Sequence, residues 1–360
     1  MSHAPEKVQL DTSIRCSDSV EFENQLRHRV VGQEEAVVKT TETIQNFMAG
    51  LNDVERPVGN ILLLGPTGTG KTHLCEAVAD IMFGDPKSFI RVDCAEFQQS
   101  HETAKILGAP PGYIGHKEGG GQITQEKLDK THNDKVQLSI LLFDEIEKAH
   151  ENFWELLLGI LDKGRMTDTT GKVIDFTHTI IFMTSNLGAR EVMFALEGGI
   201  GFSPDINVSG GRLQKISESA AARRFSPEFM NRLDQVITFQ YLTEEAMREI
   251  LRIEEGHIQK RILSAPTMAK FAFTCSDEVN NFLLKEGTSQ KYGARYLKRT
   301  LEKLIVTPIS NFLLTAQVEL GDLIEVGILD KHLCFYKVPA ALIAEAGHDG
   351  WKDFRKALDE

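Results

Sequence analysis

Ile61-Leu62-Leu63-Leu64-Gly65-Pro66-Thr67-Gly68-Thr69-Gly70-Lys71-Thr72 is the stretch that decides the fold. Four apolar residues stop at a complete G-x-x-x-x-G-K-[ST] string, and His73, Leu74 and Ala77 then open a helical pattern, so strand, glycine-rich loop and helix follow in the order a phosphate cradle requires. The glycines let the backbone N–H groups of Thr67-Gly68-Thr69-Gly70 and their neighbours, in the loop that Pro66 opens, converge on phosphate oxygens. Lys71 supplies a point charge to the β and γ oxygens, and the Thr72 hydroxyl is placed to coordinate Mg2+. The bland alternative is a Gly-rich turn before a helix.

Working outward, Phe89 to Val92, Leu138 to Phe143 and Thr179 to Met183 are further short β-favouring runs separated by helical patterns. Runs that are apolar on both faces belong to a sheet covered on both sides, so the expectation is a parallel, doubly wound α/β domain reaching to about Phe239. The pattern then changes. From Thr243 to Leu263 the apolar residues Met247, Ile250, Leu251, Ile258 and Ile262 fall at helical spacing. A second helical stretch runs from Ala294 to about Leu314. Around them are only short strand candidates, Lys270 to Thr274, Leu323 to Val326 and Leu333 to Val338. The expected organisation is an N-terminal extension over residues 1–26, a large α/β domain over 27–239, a smaller mainly helical domain over 240–338, and a tail over 339–360. In the tail, Trp351, Phe354 and Leu358 read as one face of a core-covering helix.

Residues 138 to 145, Leu-Ser-Ile-Leu-Leu-Phe-Asp-Glu, form an apolar strand ending in two adjacent carboxylates. Asp144 at the strand end would hold the Mg2+ shell, and Glu145 would polarise the attacking water. A carboxylate capping the next helix is the alternative. Glu145 favours intrinsic ATP hydrolysis, because P-loop switches that lack such a group need a partner to hydrolyse efficiently.

The composition sets limits. With 40 Lys+Arg against 52 Asp+Glu the formal charge is −12, the wrong sign for a duplex nucleic-acid binder that works by phosphate neutralisation. No apolar run approaches the ~20 residues of a membrane span, and residues 1–25 carry no apolar signal region, which gives a cytoplasmic expectation with no membrane partner. The 5 cysteines are scattered and contain no C-x-x-C pair, so neither a disulfide framework nor a zinc site is indicated.

At this point the chain resembles a family. Val30-Val31-Gly32-Gln33-Glu34-Glu35-Ala36-Val37, the loop at 65–72, Gly108-Ala109-Pro110-Pro111-Gly112-Tyr113-Ile114-Gly115 and Leu142-Phe143-Asp144-Glu145-Ile146-Glu147-Lys148-Ala149-His150 look like the second ATPase module of the Clp AAA+ unfoldases. Gly164-Arg165-Met166-Thr167-Asp168, Met183-Thr184-Ser185-Asn186-Leu187-Gly188, Phe225-Ser226-Pro227-Glu228-Phe229-Met230-Asn231-Arg232-Leu233-Asp234 and Tyr292-Gly293-Ala294-Arg295 continue the match in order. It covers about residues 24 to 338. The fold it implies is a P-loop AAA+ domain followed by a small lid domain.

The resemblance also implies roles. Asn186 matches sensor 1, which orients the lytic water beside Glu145. Arg232 matches the arginine finger, which in the family reaches a neighbouring subunit's γ-phosphate; its alternative is a surface ion pair with Asp234. Arg295 matches sensor 2 on the lid, and Val31 and Gly32 belong to the strip whose backbone meets adenine. Tyr113 and Ile114 match the pore loop that grips polypeptide in a homo-hexamer channel, and residues 164 to 171 match a second substrate-facing loop. Ile200-Gly201-Phe202 resembles the loop that docks on the ClpP peptidase, with a loop packed on its own domain as the alternative.

The chain also departs from the family. Gly119-Gly120-Gly121 stands where two glycines are usual, and His116 and Lys117 replace aromatic and acidic residues. These 360 residues contain no first ATPase module, recruiting domain or coiled-coil insertion, so substrate selection is expected in the N-terminal extension, the tail or another protein. The expected function is an ATP- and Mg2+-dependent unfoldase that threads polypeptide through a hexamer. The alternatives are a nucleotide-gated assembly scaffold with little threading and a stand-alone disaggregase without a protease. Remodelling of nucleic acid is opposed by the acidic charge and by Tyr113.

Overall fold

The computed structural model describes Asp11 and residues 14–108, 121–133, 136–196, 210–266, 269–288 and 293–338. By contacts the chain divides into two compact units, residues 1–65 with 70–240, and residues 66–69 with 241–360.

In the first unit, helices α1 (Ser17–Arg29) and α2 (Glu34–Met48) lead into β1 (Gly59–Leu64), α3 (Lys71–Phe83) and β2 (Ile90–Asp93). Two short helical turns follow, α4 (Ala104–Leu107) and α5 (Gln125–Asp129), then β3 (Ser139–Asp144) and α6 (Glu151–Lys163). The hairpin β4 (Arg165–Thr167) and β5 (Val173–Asp175) precedes β6 (Thr179–Ser185), α7 (Ala189–Leu196), α8 (Gly210–Arg224), α9 (Pro227–Met230) and β7 (Gln235–Thr238). Five of the strands form one sheet in the order β2-β3-β6-β1-β7, parallel throughout.

The continuous apolar runs are explained by burial on both faces of this sheet. Leu62, Leu64, Leu141, Phe143, Ile181 and Met183 pack on one side with Phe153, Trp154, Phe225 and Phe229. Their neighbours Ile61, Leu63, Ile140, Leu142, Ile180 and Phe182 pack on the other with α1, α2 and α3. Successive side chains point to opposite faces, so a strand covered twice can spare no polar position. Strand β2 begins at Ile90 rather than Phe89, which packs at the edge of the second cluster.

The second unit begins with α10 (Glu244–Ser264), capped by the Thr243 hydroxyl. It continues with β8 (Ala272–Cys275), α11 (Asp277–Gly287), α12 (Ala294–Leu301), a π turn over Glu302–Val306, α13 (Thr307–Leu314), β9 (Leu323–Leu329) and β10 (His332–Val338). Met247, Leu251, Ile258 and Ile262 of α10 pack with Leu283, Leu297, Leu301 and Ile305 in its core. The strand expected from Lys270 starts at Ala272, pairs parallel with β9, and β9 pairs antiparallel with β10. The helix expected unbroken from Ala294 to Leu314 contains the π turn. The turn sits just before Pro308, whose ring nitrogen cannot donate to the preceding turn, and the Thr307 N–H and hydroxyl both donate to the Glu302 carbonyl five residues back. Tyr113, Ile114, Ile200, Gly201, Phe202, Tyr292 and the tail from residue 339 lie outside the described residues, as do residues 1–10, 12 and 13 of the N-terminal extension.

Candidate active site

The phosphate loop leaves the carboxyl end of β1, the central-strand position where open parallel sheets bind ligands. Gly65 has φ +134°, and a Cβ there would lie 2.6 Å from the carbonyl oxygen of Phe239, so only glycine lets the loop turn off the strand. The Thr69 hydroxyl donates to the Pro66 carbonyl at 2.9 Å. Lys71, the first residue of α3, is only 7% exposed. Its ammonium donates to the Gly65 carbonyl at 2.8 Å and to Asn186 Oδ1 at 3.0 Å. Burial pushes its pKa down to about 8, against the pull of Glu147, Asp144 and Glu145.

Strands β3 and β6 run side by side with Phe143 opposite Met183, so Asp144 and Glu145 come level with Thr184, and Asn186 follows just after β6. One Asp144 oxygen accepts from the Thr184 hydroxyl and the other from the Arg91 guanidinium. Glu145 has φ +56° and stands at the start of a short helical turn, yet its side chain caps nothing there. One of its oxygens accepts from Asn186 Nδ2 at 3.3 Å, the other holds Lys148, and its backbone N–H donates to Thr184 Oγ1 at 3.0 Å. The structure therefore brings Lys71, Asp144, Glu145 and Asn186 together at the carboxyl ends of the central strands β1, β3 and β6. A carboxylate and a hydroxyl are hard oxygen donors of the kind Mg2+ takes, and Asp144 already attracts a cation, Arg91, so the Asp144 and Thr72 pair fits that ion.

Arg232 is elsewhere. Its carbonyl accepts from Asn60 Nδ2 at 3.1 Å, which ties it to the start of β1, the opposite end from the phosphate loop. Its guanidinium donates to the Glu228 carbonyl at 3.0 Å and lies 3.5 Å from Asp162. The ion pair considered with Asp234 is not formed; the Asp234 carboxylate accepts the Asn60 N–H at 2.8 Å and lies 3.5 Å from Arg56. Val31 and Gly32 sit between α1 and α2. Their segment is anchored to α3 by Arg29 on Asp80 at 2.9 Å and by a 3.2 Å contact of His73 Nε2 with the Arg29 carbonyl, and to β7 by paired hydrogen bonds of 3.0 Å between Gln33 and Gln240. Arg295 is in the first turn of α12, in the second unit.

The loop between β4 and β5 is firmly built. Asp168 accepts from the Thr170 hydroxyl and N–H and from the Lys172 N–H at 2.7, 2.8 and 2.9 Å, bonds that hold its carboxyl below the usual range. Thr169 donates its N–H and hydroxyl to the Leu107 carbonyl at 3.1 and 3.2 Å, next to the last residue described before position 109. Gly121, third of the glycine run, closes against α4 so tightly that a Cβ would lie 1.7 Å from the Ile106 carbonyl oxygen.

Comparison with known proteins agrees with this geometry. A family model described as AAA domain (Cdc48 subfamily) matches residues 56–236, and one for the C-terminal, D2-small domain of ClpB protein matches residues 242–326. The chain belongs to the Clp-type AAA+ ATPases. Probable chaperone protein ClpB 1 of Chlorobaculum tepidum is 39% identical over 307 residues, 85% of this chain and 67% of that protein. The ATP-dependent Clp protease ATP-binding subunit ClpC of Staphylococcus aureus is 39% identical over 293 residues, 81% of this chain and 34% of its own length. A cryo-EM reconstruction of Hsp104 in a closed state with ATPγS and FITC casein aligns with TM-score 0.75 and 29% identity, over 89% of this chain and 52% of that one. The chain thus spans about two thirds of the first relative and about one third of ClpC. No helix among the described residues is long and apolar enough to cross a membrane.

The polar residues that complete the cluster, Thr184, Arg91, Glu147 and Lys148, carry no motif signal of their own. Thr184 was within reach, since it lies two positions before Asn186 on a strand whose register with β3 follows from the fold.

Proposed function

We propose that this Clp-type module binds ATP with Mg2+, hydrolyses it in a homo-hexamer, and uses the cycle to pull polypeptide through a central channel. In this reading Lys71 and the backbone of residues 66–70 hold the phosphates, Thr72 and Asp144 hold the metal, Glu145 accepts the proton of the attacking water, and Asn186 orients that water. When bound, Mg2+ would neutralise phosphate charge.

The observation that carries the assembly is the separation of Arg232 from its own phosphate loop. Asn60 and Gly65 are five residue steps apart along the strand direction, about 16 Å, more than an arginine side chain spans. A finger at that end serves a site on another copy of the chain. Arg295 on the second unit is the candidate phosphate contact from the lid, and Val31 with Gly32 the adenine strip.

Tyr113 and Ile114 are the proposed grip, following the family motif they complete. Ile200, Gly201 and Phe202 are the proposed docking point for a ClpP-type peptidase. The similarity to ClpC, an ATP-binding subunit of a Clp protease, favours this, and the equal identity to ClpB, a chaperone, does not. A cytoplasmic site of action goes with this reading.

The test is mixing. Lys71→Ala loses ATP binding, Glu145→Gln binds ATP without turning it over, and Arg232→Ala binds ATP but loses most hydrolysis, on the order of 10³-fold for arginine fingers. Lys71→Ala and Arg232→Ala subunits, each nearly inactive, regain activity when mixed, because some interfaces join an intact cradle to an intact finger. Full ATPase activity in a sedimenting monomer refutes the assembly.

A further inference from the structure

We infer that Glu147 is a positioning residue for hydrolysis, its carboxylate fixing the backbone of Asn186 so that the Asn186 amide bridges Lys71 and Glu145. The inference rests on the proposed ATPase reading. One Glu147 oxygen accepts the Asn186 N–H at 3.1 Å. Asn186 in turn accepts from Lys71 through Oδ1 and donates to Glu145 through Nδ2, at 3.0 and 3.3 Å. A shift of the Asn186 peptide would move both contacts together.

The support is itself held from behind. The Glu147 carbonyl accepts from Arg224 Nη2 at 3.1 Å, the Arg224 guanidinium sits 4.4 Å over the Trp154 ring, and Trp154 Nε1 donates to the Ile146 carbonyl at 3.0 Å. The turn that carries Glu147 is therefore clamped on both sides before its side chain reaches Asn186. The other carboxylate oxygen is buried with no hydrogen-bond partner among the described residues. Of the carboxylates around Lys71, Glu147 exerts the largest attraction.

Two conservative variants separate placement from charge. Glu147→Asp keeps the charge but withdraws the acceptor by about 1.5 Å, one bond length. Glu147→Gln keeps the length and one acceptor oxygen. Glu147→Asp should lower kcat by about tenfold or more while the Kd of a fluorescent ATPγS analogue stays within about threefold, because misplacement affects the reacting geometry more than binding. Glu147→Gln should keep kcat within about threefold, and in an Asn186→Ala background Glu147→Asp should change kcat by less than about twofold, since both act through one element. Hydrogen exchange supplies a readout without turnover: the peptide spanning residues 184–190 loses protection at Asn186 in Glu147→Asp and keeps it in Glu147→Gln. The opposite ranking of the two variants, unchanged kcat in Glu147→Asp, or additive losses with Asn186→Ala each overturn the inference. A wild-type chain without ATPase activity removes the reading beneath it, and the inference with it.

Discussion

The lowered pKa of Lys71 makes nucleotide affinity dependent on pH in a way that can be worked out in advance. The perturbation is a titration between pH 7 and 9.5 of wild type beside Lys71→Arg. Burial brings the Lys71 ammonium from 10.5 to about 8, worth roughly 3 kcal/mol against the charged form. A bound triphosphate supplies anionic oxygens and returns the group to full protonation, so binding takes up a proton once the free chain has released one. Below pH 8 the lysine is already charged and affinity is flat. Above pH 8 affinity falls, by about tenfold between pH 7 and pH 9, while Lys71→Arg, which does not titrate there, binds with constant affinity. Fluorescence titration with a labelled ATPγS analogue at fixed Mg2+ and ionic strength reads this directly. Stability of the free chain carries the opposite sign. Because the folded pKa lies below the unfolded one, the fold gains stability as pH rises from about 8 toward 10.5, so the excess stability of Lys71→Met over wild type at pH 7 shrinks over that window. Affinity that stays constant to pH 9.5 refutes the reasoning, since it means that Lys71 is not a buried ammonium discharged near pH 8.

Further predictions concern other parts of the molecule. Tyr113→Ala removes the proposed grip and leaves every phosphate ligand in place, so basal ATPase survives while unfolding of a tagged fluorescent protein fails; equal loss of both activities marks a structural tyrosine. Changing Ile200 and Phe202 to Ser abolishes co-sedimentation with a ClpP peptidase and spares ATPase; a wild-type chain that does not bind ClpP in ATP ends the coupling proposal. Burial pushes the Glu255 carboxyl up, and its Oε1 is buried without a hydrogen-bond partner among the described residues, so the second unit loses stability as pH rises through that raised pKa. Glu255→Gln therefore stabilises it by roughly 1 kcal/mol at pH 7, read as slower hydrogen exchange in α10 of the full chain, and faster exchange contradicts the account.

What the sequence made legible is what depends on local pattern. The strand at Ile61–Leu64, the loop after it and the acidic end of β3 follow from apolar runs and from a motif whose residues are contiguous. Asn186 is legible only through the family string, because a polar residue after a strand is common in turns. Thr184 follows only from the register of β6 with β3, and Arg91 and Glu147 are not assignable from the sequence, since their partners are set by the parallel order β2-β3-β6, which brings together residues about 40 to 50 positions apart. The late start of β8 and the π turn failed for different reasons. The first follows from pairing with β9, which nothing near Lys270 encodes. The second was signalled by Pro308 inside a helical pattern, a cue that predicts an interruption without saying that the helix absorbs it and continues.

The charges around the site suggest why such a module can cycle rather than bind once. Lys71 is paired with Asn186 and the Gly65 carbonyl, and Asp144 with Thr184 and Arg91, so both charged groups already have internal partners. Under the proposed function, ATP and Mg2+ exchange these bonds for their own, and only the difference appears as affinity. Release then returns each group to an internal partner, which lowers the barrier to letting product go. Arg232 is arranged otherwise. Its Nε is buried without a hydrogen-bond partner among the described residues, and Asp162 stands off at 3.5 Å. Under the proposed function, a guanidinium held by one hydrogen bond to the Glu228 carbonyl at 3.0 Å gives up little when it turns to a neighbour's phosphate, which would fit the cradle to exchange within one chain and the finger to contact with the next.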